Sequence, residues 1–144
     1  VRLGVPEDDI TTILMADHGL QLYGNAVIAN TDFAKSNPDI VKKFLSAVGS
    51  GWKDAIKSPK TAAAALVKRN PAADAALEQR RLQLAINANV LTDYVKANGM
   101  GRIDKDRFAL AIKQLGETYD YKTAPDAKLY FTGAYLPDEG ILLQ

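Results

Sequence analysis

The chain has 144 residues, 47% of them hydrophobic and 24% charged, with 18 Lys plus Arg against 17 Asp plus Glu and a formal net charge of +1. That is enough chain for one domain with a core, and the charge balance creates no field to recruit nucleic acid or an anionic membrane. There is no cysteine, which excludes disulfides, thiolate nucleophiles and cysteine-ligated metal centres, and no apolar run approaches the roughly 20 residues that span a bilayer.

The opening "VRLGVPEDDI" has no initiator Met and no apolar signal core. It reads as the middle of something: a mature product, a cloned fragment or a natural truncation. "TTILM" (Thr11–Met15) is rich in β-formers and predicts a short buried strand. "YGNAVIAN" (Tyr23–Asn30) predicts a second. Alternation puts Tyr23, Asn25, Val27 and Ala29 on one face, and Gly24, Ala26, Ile28 and Asn30 on the other. Both faces are small or apolar, which suits a strand covered on both sides.

From there the pattern is helical. Asn37-Pro38, Ser58-Pro59 and Asn70-Pro71 each place an N-cap residue before a proline. At the first helical position the missing N–H costs nothing, so each pair predicts a helix start. From Pro38, a stripe of Val41, Phe44, Leu45, Val48, Trp52, Ala55 and Ile56 opposes Asp39, Lys43, Lys53, Asp54 and Lys57. That is an amphipathic helix, which Gly49-Ser50-Gly51 could bend. The second helix, Pro59 to about Lys68, is alanine-rich and admits close neighbours. The third, Pro71 to about Asn89, carries Leu77, Leu84, Ala88 and Leu91 on one side and Leu82 and Ile86 on another, as expected between two layers. Thr92 caps a short helix that Gly99 ends. Asp104 caps the next, with Phe108, Ala111, Ile112, Leu115 and Tyr119 on its inner stripe. A turn or short helix is expected at Asp126–Phe131, before an aromatic tail. The fold class so read is α/β and helix-rich, with two short strands and about five helices. Two strands make a poor sheet alone, so more must come from another copy or from the natural context.

His18 is the single histidine. Metal and nucleophilic sites need several converging groups, so a loop histidine outweighs a catalytic one. Neither a P-loop nor a G-x-S-x-G is present, and Gly99-Met100-Gly101 follows a helix instead of opening one. Asp8-Asp9 reads as a turn, Lys42-Lys43 as a solvated face, Arg80-Arg81 as surface ion pairing or packed stems, and Trp52 as core. No catalytic residue, metal or cofactor is expected. Tyr23-Gly24-Asn25 is different. It combines a flat ring with a hydroxyl, backbone freedom, and a donor–acceptor amide, the mixture that lines small-molecule pockets. A structural turn at the mouth of a strand would use the same residues, and both readings stay open on the residues alone.

The order D-x-G (Asp17–Gly19), Y-G-N (Tyr23–Asn25), apolar strand, "FAKSNPD", long helix and proline-started helix resembles the ABC-transporter solute-binding proteins of the NMT1/THI5-like, or SsuA-like, family. "GMGRIDKDRFALAIKQL" resembles a later stretch of the same family, so that the likeness runs over nearly all of the chain. The resemblance implies two α/β lobes closing on a ligand in the type 2 periplasmic-binding fold. This chain would be the later half, a partial fold with the first lobe missing. Residues 1–144 would then form one domain, with 1–30 as a strand and hinge region and 31–144 helical. Tyr23, Gly24 and Asn25 would face the cleft, with Asp17 in the same motif.

The function expected is non-covalent binding of a small organic solute by the solute-binding component, or a truncated form of it, of an ABC importer in the periplasm, not an enzyme. The family's solutes are sulfonates, thiamine-type pyrimidine precursors, nitrate and aromatic acids. A permease is the implied partner in full-length members, with neither nucleic acid nor direct membrane insertion. Uncovered sheet edges imply a homo-oligomer, through strand exchange. Two alternatives stand beside this: an oligomeric helical interaction module that binds no ligand, and an enzyme like the pyrimidine synthase of thiamine biosynthesis.

Overall fold

The computed structural model describes residues 4–123, 125–138 and 140–143, apart from the Glu7 side chain. After two short 3-10 turns, Glu7–Asp9 and Met15–His18, the helices are α1 (Thr31–Ser36), α2 (Pro38–Lys57), α3 (Pro59–Arg69), α4 (Ala75–Ala85), α5 (Asp93–Asn98), α6 (Lys105–Tyr119) and α7 (Ala127–Tyr130). The chain divides into two units, Val1–Val27 with Ile103–Phe131, and Ile28–Arg102 with Thr132–Gln144.

Local capping chemistry sets most helix starts. Thr92, Asp104 and Asp126 accept the backbone N–H of Val95, Arg107 and Lys128 at 3.2, 2.8 and 3.0 Å, which satisfies donors that the first helical turn leaves unpaired. Pro38 and Pro59 open α2 and α3 as their spacing predicts. Asn30 was expected to end a strand. It instead caps α1, its Oδ1 accepting from Asp32 and Phe33 N–H at 3.0 Å each. The third proline does not open a helix. Asn70-Pro71 forms a turn, with Ala73 N–H donating to Asn70 C=O at 3.0 Å. Helix α4 starts four residues later, where the Asp74 carboxylate accepts from Leu77 N–H at 2.7 Å.

The expected α/β fold is not found. Among the described residues there is no strand and no sheet, so the two strands and the partial type 2 periplasmic-binding fold are corrected to a helix-rich chain. The pairing that does occur among the described residues is an antiparallel bridge, Met100 to Ile141, with N–H···O distances of 2.8 and 3.1 Å. A β-pattern becomes a strand only when a neighbour takes its N–H and C=O groups. Thr11–Met15 and Tyr23–Asn30 have no such neighbour among the described residues. Met15 winds into a 3-10 turn and Asn30 is committed to a helix cap.

In the second unit, α1, α2, α3 and α4 pack in chain order. Val41 and Ala63 are buried, while Leu45, Val48, Trp52, Ala55 and Ile56 are half-buried, so the α2 stripe lies inward except at Phe44. Gly49-Ser50-Gly51 does not interrupt α2. Gly49 is a contact point, against which Ile141 lies so closely that a Cβ would overlap its Cγ2. After α4 the helix widens into a π turn, Ile86–Val90, closed by Leu91 N–H on Ile86 C=O at 2.8 Å. Ile86 is 1% exposed whereas Leu84 is 70% exposed, so this helix packs on one side and not between two layers.

Gly49→Ala is expected to lose about 1–3 kcal/mol through overpacking against Ile141, where helix propensity alone would gain about 1 kcal/mol. Urea unfolding followed by circular dichroism measures the sign.

Candidate functional site

The Tyr23-Gly24-Asn25 corner lies in the first unit, and α6 organises its approach. The Tyr23 hydroxyl accepts the Asp104 backbone N–H at 2.8 Å and donates to Asp104 C=O at 3.4 Å. One turn on, Arg107 donates through Nε to Gln21 C=O at 3.1 Å and through Nη2 to Leu22 C=O at 3.0 Å. Its guanidinium carbon lies 4.8 Å from the centroid of the Tyr23 ring, a cation–π contact. Two turns further, Gln114 Nε2 donates to Gly19 C=O at 2.7 Å. The Gln114 Oε1 is buried without a partner among the described residues. Phe108 packs edge-on to Tyr23 and to Phe131, with centroids 6.1 and 6.2 Å apart.

Residues 19–23 are thus held by side chains of one helix. The tip beyond them is not held. A Cβ on Gly24 would meet nothing within 4 Å. Asn25 is exposed, and its amide makes no hydrogen bond among the described residues. Asp17, in the Met15–His18 turn, is also exposed, with a carboxylate that meets no partner among the described residues. No hydrogen bond joins Asp17 to Tyr23 or Asn25 among the described residues. The corner offers an aromatic ring and an amide in an open setting. Among the described residues no three His, Asp or Glu side chains gather to hold a metal ion.

The second unit contains a groove of about 530 Å³ between α2, α3 and α4, walled by Val48, Trp52, Ala63, Leu66 and Leu82. Arg81 at its rim is paired with Glu78 at 3.0 Å, the surface ion pair that the sequence suggests. Trp52 lines this groove half-exposed and is not sealed in a core. Arg107, Gln114 and the groove were not singled out from the sequence. Arg107 finds its partners 85 and 86 positions away, beyond the reach of any local pattern.

Residues 1–62 match the sequence profile of the family described as NMT1/THI5 like. This stretch holds both the D-x-G and Y-G-N motifs, and over it the chain is similar to that family, in line with the resemblance. The match ends at residue 62, so it carries neither the wider likeness over nearly all of the chain nor the assignment to the later half of the family. No curated protein matches the chain, and no solved structure does. No described helix is long and apolar enough to cross a membrane.

Since a Cβ at Gly24 meets open space and the exposed Asn25 amide makes no hydrogen bond among the described residues, Gly24→Ala and Asn25→Ala are each expected to change stability by less than about 0.5 kcal/mol. Tyr23→Phe removes the acceptor of Asp104 N–H and is expected to cost about 1 kcal/mol. Parallel urea titrations separate the two classes.

Proposed function

We propose that the chain acts in non-covalent capture of a small organic solute, as the solute-binding component of an ABC importer working outside the cytoplasm. Tyr23, Gly24, Asn25 and Asp17 face the ligand in this reading, and no bond is made or broken. The observation that supports it most is the family match over residues 1–62, which contains these four residues. The geometry is compatible: a clamped tyrosine beside an amide whose hydrogen-bonding capacity is unspent. His18 has no part in the reading, and His18→Ala leaves binding intact.

Thermal-shift measurements with nitrate, methanesulfonate, benzoate and an aminopyrimidine test it. A ligand that binds the folded state raises Tm by mass action, and about 100 times Kd adds about 2.7 kcal/mol. At least one probe is expected to raise Tm, with Asn25→Ala and Asp17→Asn abolishing the rise. No response to any probe at millimolar concentration overturns the reading.

A specific observation supports a second copy of the chain as partner in this reading. The accessible area is 11326 Å², whereas two separate compact bodies of the lengths of these units would expose roughly 8,700 Å² together. The exposed apolar side chains gather early in the chain: Ile10 is 48%, Ile13 65%, Leu14 52% and Met15 64% exposed. An excess of roughly 2,600 Å² is of the order that large obligate interfaces bury. Size-exclusion chromatography with light scattering is expected to give a dimer or larger, which Ile13→Lys with Met15→Lys dissociates. A well-folded monomer at micromolar concentration overturns this part.

A further inference from the structure

We infer that Arg107 is a positioning residue for the Tyr23–Asn25 corner. The inference rests on reading that corner as ligand-facing, but the bonds that carry it belong to this chain alone. Gly24 has open space around it and Asn25 no hydrogen bond among the described residues, so within this unit their position is inherited from the residues just before them. One planar group engages all three of those residues, Gln21, Leu22 and Tyr23. Arg107 spends Nε on Gln21 C=O at 3.1 Å and Nη2 on Leu22 C=O at 3.0 Å, and lays the same guanidinium over the Tyr23 ring at 4.8 Å. A guanidinium does all three because its donors form a rigid planar fork with an apolar face. A lysine ammonium is a point charge and cannot.

The clamp is locked to the helix start. Asp104 accepts Arg107 N–H at 2.8 Å through its carboxylate, and gives its own backbone N–H to the Tyr23 hydroxyl at 2.8 Å. The cap, the arginine and the tyrosine therefore close a loop of contacts across about eighty positions of sequence. Releasing the fork frees Gln21 and Leu22, and the Tyr23–Asp104 bond becomes intermittent while the helix itself stays formed.

The test compares the intact chain with Arg107→Lys and Arg107→Gln by amide hydrogen exchange in NMR. The Asp104 amide reports the Tyr23 bond, and the Ala111 and Ile112 amides report the helix. Asp104 exchange is expected to accelerate at least tenfold in both variants, with Ala111 and Ile112 within twofold of the parent. Lysine is expected not to rescue. Unchanged Asp104 exchange, or acceleration spread equally to Ala111, overturns the inference. This readout needs no ligand, so it decides the clamp even if nitrate, methanesulfonate, benzoate and the aminopyrimidine all fail to bind. For any of these that binds the parent chain, Arg107→Lys is expected to raise the apparent Kd at least tenfold. An unchanged Kd overturns the inference and leaves the solute-binding reading in place.

Discussion

The first unit depends on side chains of one helix replacing the strand that its early segment lacks. Extended backbone carries a donor and an acceptor at every residue, and each needs a partner or water. In a sheet the neighbour is another backbone. Here Gln114 takes the Gly19 carbonyl, Arg107 takes those of Gln21 and Leu22, and Asp104 engages the hydroxyl of Tyr23. In this unit Ala111 is the buried hydrophobic among the described residues. The aromatic row Tyr23, Phe108 and Phe131 supplies packing at its edge.

The second unit is held differently. Its buried side chains, Ala34, Val41, Ala63, Ile86, Ile141 and Leu143, come from helices packed in order and from a returning tail. The tail is fastened by the Met100–Ile141 bridge and seated at Gly49, where the absence of a side chain lets Ile141 approach. The two units thus illustrate two routes to order, one through directional bonds to backbone and one through small residues that permit close approach.

Sequence legibility follows this difference. Pro38, Pro59, Thr92 and Asp104 act within a few residues of themselves, and all four mark the helix starts their chemistry predicts. The stripe on α2 is also local, and its inward face was readable apart from Phe44, which is 55% exposed. The strands were not readable, because a run such as Tyr23–Asn30 encodes willingness to pair and not the presence of a partner. Asn70-Pro71 misled for a related reason: Asp74 supplies a capping carboxylate four residues later, and the helix begins there. Of the candidate site, the Y-G-N corner stood out by residue type and by family resemblance. Its support from Arg107 and Gln114 is a long-range matter that no spacing rule could find.

The wide turn at Ile86–Val90 has a consequence for how this chain can change length. A π turn holds one residue more per closure than an α turn, and the surplus is absorbed by winding. Removing one residue between Asn87 and Val90 would tighten the coil to its ordinary pitch and leave Ile86 in its slot. The helix therefore contains a built-in slack of one position, a place where descendants of this sequence can shorten without breaking a rod or moving its most deeply inserted side chain.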